Sequence, residues 1–308
     1  DVAELSPDAW VFNYSNPATS ITTAMRQHRP EVRSVGLCTC VSIPRNREYL
    51  ARWADVEPED VLIPAPAGGL NHCAFMLDVR LASGESAFPL MAERAETPLI
   101  RWMLKTYGVL PYCWSHVTEF FPMMSHLVEP YRGRLQGLEM YHGLHVHDME
   151  HERERGATWE SLVESWAASE DPDISLDVLP KAEAIEVVQI MEALLTNGNA
   201  LHGINLPNGG AIPNLPPEAV VEVTSLINGY GIQPVCIGPL PEPIAATLRN
   251  HITTQQLTAQ AALTGDRNLL LQAFLQDPMN QARLRQDKIP ALMEDLLQAH
   301  KEYLPQFA

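Results

Sequence analysis

The chain of 308 residues contains no Gly-x-Gly-x-x-Gly and no Gly-x-x-x-x-Gly-Lys-[Ser/Thr]. It therefore lacks both glycine-rich turns that lay a dinucleotide or nucleotide phosphate on a helix N-terminus. No run of about 18 apolar residues is present, which leaves no candidate for a membrane-spanning helix. The first residues, Asp1 to Pro7, have neither the basic start nor the apolar centre of a signal peptide. Positive charge is scarce. With 21 Lys and Arg against 38 Asp and Glu, the formal charge is -17, so no phosphate backbone would be drawn to it and nucleic acid is excluded as a partner. Cysteine is sparse and odd in number, at Cys38, Cys40, Cys73, Cys113 and Cys236. That argues against a disulfide framework and for a reducing, cytoplasmic setting.

What remains is an ordinary globular composition, 46% apolar and 19% charged, long enough to bury one large core or two smaller ones. Ala9 to Tyr14 reads as a buried strand, Thr19 to His28 as a helix and Arg33 to Val41 as a second strand. Strand, helix and strand in so short a span form a parallel crossover, the start of an α/β sheet. Glu48 to Trp53 reads as a helix, Val61 to Ile63 and Asn71 to Leu81 as strands. Helical periodicity then dominates, over Glu96 to Tyr107, Lys181 to Thr196 and Lys288 to Leu304. Residues 130–180 are the most loop-like stretch. No internal repeat is evident. The fold class is α/β: the C-terminal part of a Rossmann-like parallel sheet, residues 1–66, followed by a mixed, largely helical substrate domain, residues 67–308.

Several positions carry chemistry, each with a plainer alternative. Asn13 and Asn16 lie in the turn Asn13-Tyr14-Ser15-Asn16-Pro17 directly after a strand, where open α/β sheets place ligands, although Asn-Pro also simply starts turns. Cys38 ends a strand, and His72 follows Gly69-Leu70-Asn71. A thiolate and an imidazole could hold a divalent ion with positions left for substrate oxygens, or could be a buried Cys and a hydrogen-bonded His; Cys40 could substitute for Cys38. Tyr112, Cys113, His116 and Glu119 are close enough to supply an acid, a base or a ligand, or to be an aromatic core contact. His142, His145, His147 and His151 have no H-E-x-x-H arrangement and read as solvated surface. The run Asn205 to Pro216 is dense in turn residues yet interleaved with apolar ones, an ordered loop rather than a linker.

Together these segments resemble glycoside hydrolase family 4. The correspondence runs through NYSNP (13–17), GLC (36–38), GLNH (69–72), HVTEFFP (116–122) and NLPNGGAIPNLP (205–216), and continues in IQPVCIGPLP (232–241), an AALTGDR helix (261–267) and AHKEYLPQF (299–307). It spans nearly the whole chain in order, and the 205–216 loop is its most specific element.

The resemblance implies a lactate/malate dehydrogenase-like fold and an exception to two-carboxylate glycoside hydrolysis. In that chemistry NAD oxidises the sugar C3 hydroxyl, and a base removes the acidified C2 proton while a divalent metal such as Mn2+ polarises the oxygens. The aglycone then leaves, water adds, and the ketone is reduced back. Carried over by position, Cys38 and His72 match the metal ligands. Asn13 and Asn16 match the amides near the nicotinamide, with Asn16, Asn71 and Asn205 near the sugar, and His116 falls in the acid/base segment. Two departures stand out: Thr39 follows Cys38 where the family has His or Asn, and Cys113-Trp114-Ser115 replaces the usual acidic run, which leaves Tyr112 as the candidate base. The expected substrate is an unphosphorylated α-linked sugar or uronic acid, handled by a homodimer or homotetramer. The missing glycine-rich turn implies weak NAD binding and a need for residues upstream of Asp1. The competing readings are a lactate/malate dehydrogenase-like oxidoreductase and a non-catalytic sugar-binding relative.

Overall fold

The computed structural model describes residues 1–38, 43–62, 66–95, 98–112, 116–121, 130–131, 134–135, 149–169 and 181–307. Its strands are β1 (Trp10–Asn13), β2 (Arg33–Leu37), β3 (Ala67–Leu70), β4 (Cys73–Met76), β5 (Leu110–Pro111), β6 (Pro130–Tyr131), β7 (Arg134–Leu135), β8 (Ala200–Pro207), β9 (Val220–Asn228) and β10 (Gly231–Pro234). The helices are α1 (Val2–Leu5), α2 (Ala18–His28), α3 (Ile43–Ala54), α4 (Phe88–Arg94), α5 (Pro98–Tyr107), α6 (Val117–Phe120), α7 (Met149–Ala168), α8 (Lys181–Thr196), α9 (Glu242–Thr264), α10 (Arg267–Gln276), α11 (Pro278–Arg283) and α12 (Ile289–Ala299). None of the described helices is long and apolar enough to cross a membrane.

One sheet runs through the molecule in the order β1-β2-β8-β9-β3-β4-β5, with β10 added on β9. β1 and β2 are parallel, joined by α2, the crossover connection that a parallel pair needs. Every other pairing in this sheet is antiparallel. The sheet thus draws strands from both sides of residue 66. The apolar residues of β2, β8 and β9 form a core with α5, α8 and α9, including Val35, Ile204, Val223, Met103, Ile190 and Leu248. A second cluster gathers α3, α4 and α5 on β4 around Leu50, Trp53, Met91, Ile100 and Met76.

Four sequence expectations need correction. Asn71 to Leu81 is not one strand: Asn71 and His72 form the two-residue turn of the β3–β4 hairpin, with Leu70 paired to Cys73. The apolar alternation continues across that turn, so periodicity alone hides it. The AALTGDR segment is not one helix: Ala261 to Thr264 close α9, and Arg267 opens α10. Gly265 ends α9 at φ 72° with its N–H on Ala261 O, and Asp266 caps α10 by accepting from the Asn268 and Leu269 amides. A Cβ on Gly265 would meet Gln306 O at 2.0 Å, so both space and conformation require glycine. Within the stretch read as most loop-like, α7 forms a helix of 20 residues. Of the three residues read as a strand at Val61 to Ile63, Val61 makes an isolated bridge to Leu81. Thr39, Cys40, Cys113 to Ser115, His142, His145 and His147, and the side chains of Glu119 and His151, lie outside what the structure describes.

Candidate active site

The register aligns one transverse row of residues across the sheet. Asn13 pairs with Gly36, Gly36 with Asn205, Asn205 with Glu222, Glu222 with Gly69, and Gly69 with Ala74. The Tyr112 amide donates to Ala74 O at 2.7 Å and continues the row. Directly paired residues point to the same face of a sheet. Asn13, Asn205, Glu222 and Tyr112 are therefore ranged along one face, with only glycine or alanine between them. The small residues are needed there. A Cβ on Gly36 would lie 2.8 Å from Thr22 Oγ1 and 2.9 Å from Asn205 Cβ, and one on Gly69 would lie 2.2 Å from Cys73 O.

At the centre of the row polar groups are buried without their usual partners. Asn205 and Glu222 are both fully buried. Asn205 Nδ2 donates to Gly36 O at 3.4 Å, but its Oδ1 and both carboxylate oxygens of Glu222 have no hydrogen-bond partner among the described residues. Burial pushes the Glu222 carboxyl up to about 8; the His72 amide beside it pulls the other way, and the charge of Glu186 raises it further. The His72 N–H therefore points at the carboxylate without completing a hydrogen bond of ordinary geometry. Thr22 Oγ1, on α2 above Gly36, and Asn71 Nδ2 are likewise buried and unpartnered. A buried carboxylate left in such a setting is costly unless a proton, a cation or a polar ligand enters it.

His72 sits beside this group under conformational constraint. It occupies the second turn position of the hairpin at φ 65°, where glycine or asparagine is the unstrained choice. A histidine held in the left-handed region costs about 1 kcal/mol and persists where surrounding structure imposes it. Its ring stacks on that of His116, with centroids 4.5 Å apart and planes 14° apart. His116 flanks the N-terminus of α6, so two segments distant in sequence deliver two half-buried imidazoles to one spot.

The other expected residues are placed as follows. Cys38 is buried one residue beyond β2. Its strand is not a neighbour of the one that leads to His72: β8 and β9 lie between β2 and β3. Tyr112 is buried in the cluster with α3, α4 and α5. Asn71 is buried at the first turn position of the His72 hairpin. In the β1–α2 turn, Asn13 spends its amide locally, donating to Ser15 O at 3.0 Å and accepting from Ser15 N at 3.1 Å. Asn16 is exposed, and its Oδ1 accepts from the Ala18 amide at 3.4 Å. The clefts of about 630 Å³ beside Trp10 and Phe12 and about 500 Å³ beside His202 contain none of these residues; their size is no guide to the chemistry.

The loop 205–216 divides into two parts. Asn205 ends in the polar row, whereas Asn208 is a structural hub. Its Nδ2 faces Ile212 O, Leu215 O and Pro216 O at 3.0, 3.0 and 3.2 Å, and its Oδ1 accepts from Ile212 N at 2.8 Å. Asn214 pairs reciprocally with the backbone of Leu240. Sequence reasoning missed Glu222. Its signal was a single acidic residue inside the apolar run Ala219 to Ile227, where an unpaired charge is rarely buried.

Comparison with known proteins shows the family of the chain. The family model described as family 4 glycosyl hydrolase matches residues 1–47, and that of the family 4 glycosyl hydrolase C-terminal domain matches residues 67–280. An alpha-galactosidase of Bacillus subtilis (strain 168) is 30% identical over 318 residues, covering 100% of this chain and 69% of its own length. An alpha-glucosidase of Erwinia rhapontici is 30% identical over 332 residues, covering 99% and 70%. Among solved structures, the 6-phospho-beta glucosidase of Thermotoga maritima with manganese, NAD+ and glucose-6-phosphate superposes with a TM-score of 0.71 at 21% identity, covering 98% of this chain and 68% of that one. A 6-phospho-alpha-glucosidase from gut microorganisms, with NAD and Mn2+, has a TM-score of 0.69 at 20% identity, covering 100% and 70%. By class, then, the chain is a glycoside hydrolase. It belongs to glycosyl hydrolase family 4.

Proposed function

We infer that the chain carries the sugar- and metal-binding part of an NAD- and Mn2+-dependent glycosidase acting on an unphosphorylated α-linked sugar or uronic acid. The observation that carries the reading is the stacked His72–His116 pair, held in a strained turn beside the buried Glu222. Relatives named alpha-galactosidase, alpha-glucosidase and alpha-galacturonidase support the substrate class. A probable 6-phospho-beta-glucosidase of Bacillus subtilis (strain 168), 26% identical, is a competing case.

The donor types suit a divalent ion, although the described residues gather no group of three His, Cys, Asp or Glu into one site. Cys38 and His72 offer a thiolate and an imidazole, and the unpartnered oxygens of Glu222 and Asn205 offer the negative potential such an ion neutralises. A pyrophosphate cradle is not found among the described residues; Asn16, exposed after β1, is the proposed contact towards the nicotinamide end. When bound, NAD would supply the hydride acceptor for the sugar C3 hydroxyl, and the ion would supply Lewis acidity at the neighbouring oxygens. The chain's own part is to orient the ring through Asn71 and Asn205 and to take the C2 proton on His116 or Tyr112. A homodimer or homotetramer in the cytoplasm remains the expected setting.

A glycoside deuterated at C2 tests the route. Turnover with NAD and Mn2+ should exchange the label with water, and complete retention in the product would show that elimination is not used. Calorimetry with Mn2+ tests the ligands: Cys38→Ser and His72→Ala should each weaken binding at least tenfold, and unchanged affinity in both would remove them from the site.

A further inference from the structure

The segment that presents His116 is short and must be held from outside. α6 has four residues, and a helix of that length leaves its last carbonyls without an intrahelical donor. The terminal one, Phe120 O, is met from 131 positions away by His251 Nε2 on α9, at 2.8 Å. A carbonyl only accepts, so this bond requires a proton on Nε2. The Phe120 and His251 rings also touch, with centroids 5.0 Å apart. The next residue, Phe121, is buried and packs edge-on against Phe75 of β4 at 6.1 Å. The C-terminal end of α6 is thus fixed twice, and its N-terminal flank delivers His116 onto His72. A single helical turn does not bend appreciably, so a displacement at Phe120 is passed to His116, about 6 Å away along the axis.

Resting on the reading of His72 and His116 as the active-site pair, we propose that His251 is a positioning residue, whose Nε2–H bond to the Phe120 carbonyl sets the height of α6 and thereby the His72–His116 stack. His251 is 7% exposed and lies outside every segment assigned to substrate, cofactor or metal. Its side chain acts through Phe120, whose carbonyl it holds and whose ring it touches. The neighbouring acid, Asp277, is committed to capping α11 through the Asn280 amide at 2.9 Å.

Two amides of different reach separate this role from bulk packing. In His251→Gln the amide N–H extends to about the place of Nε2, whereas in His251→Asn the same group falls one methylene short. Proton NMR of histidine-labelled chain reads the stack directly, because each ring shields the protons of the other; His72→Ala and His116→Ala identify the two signals. The Gln variant should keep the shielding and the Asn variant should lose it, with kcat lowered about tenfold and KM little changed in the Asn protein. Shielding kept in a folded Asn variant, or lost equally in both, overturns the proposal. If the Asn variant does not fold, the nitrogen shifts of His251 in the unaltered chain decide, since an Nδ1–H tautomer there is incompatible with the bond. Full activity in His116→Ala would instead undo the active-site reading, and the ring-shielding comparison would still judge His251.

Discussion

The two polar interiors of this protein differ in how completely they are satisfied. At Asn208 a fully buried amide makes four contacts with backbone at 2.8 to 3.2 Å, and the loop around it is closed. Around Glu222, 14 positions later in sequence, a fully buried carboxylate, an amide oxygen and a threonine hydroxyl have no hydrogen-bond partner among the described residues. Networks with every bond made rigidify a fold, whereas a buried group left unpaired needs a further reason. The first region explains why the most recognisable loop of the chain needs its residues for architecture. The second is the region on which the proposed chemistry rests.

The comparison can be broken most severely at its satisfied side. Asn208→Ala should cost about 4 kcal/mol in urea unfolding, because several buried backbone groups lose their partner at once; a cost under about 1 kcal/mol would deny Asn208 its role as hub. Gly69→Ala should cost about 3 kcal/mol, since its Cβ would meet the Cys73 carbonyl at 2.2 Å and neither backbone can easily give way. A variant as stable as the parent would mean that the β3–β4 hairpin is looser than its register implies.

The unsatisfied side should show itself through pH. The Glu222 carboxyl is raised to about 8 from the ordinary 4.5, so between those values the folded chain holds a proton that the unfolded chain has released. Its stabilising contribution is complete below about pH 4.5 and is lost as pH rises towards 8, with a slope up to about 1.4 kcal/mol per pH unit. Burial lowers the pKa of His202 and His251, and those groups act in the opposite sense, stabilising above their unfolded value and losing that contribution as pH falls. The diagnostic quantity is therefore the difference between metal-free parent and Glu222→Gln, which should change in that window. Parallel stability curves would place a donor or a cation beside Glu222. The smallest effect is expected at the turn: His72→Gly should relieve the left-handed backbone and raise stability by about 0.5 kcal/mol, while Mn2+ binding falls. A clear loss of stability would show that the His72 ring, stacked on His116, contributes more to folding than its backbone costs.

Much of the architecture was legible in the chain itself. The β1–α2–β2 crossover and the core of α5 follow from apolar spacing and turn residues, because those elements depend on their own neighbours. The bounds of α8 were legible as well, but Val188, Met191 and Leu195, which carry its apolar spacing, are exposed and Ile190 is buried instead. The family was legible too, since its motifs keep their order along the chain. The β3–β4 turn was not: a histidine at a glycine position carries no turn signal of its own, and only the pairing of Leu70 with Cys73 and the pressure of packing impose it.

For the site, local sequence could mark residue types but not their company. Cys38 and His72 could be singled out as donors, yet that β8 and β9 separate their strands is a matter of strand order. Glu222 and Asn205 acquire their meaning only when β9 lies beside β8 and burial removes water from both. His116 meets His72 only because α6 is packed between β4 and α9. Spacing along a chain determines helices, turns and donor chemistry, which are short-range properties. Which buried acceptor faces which imidazole is decided by long-range pairing, and only the tertiary structure supplies that.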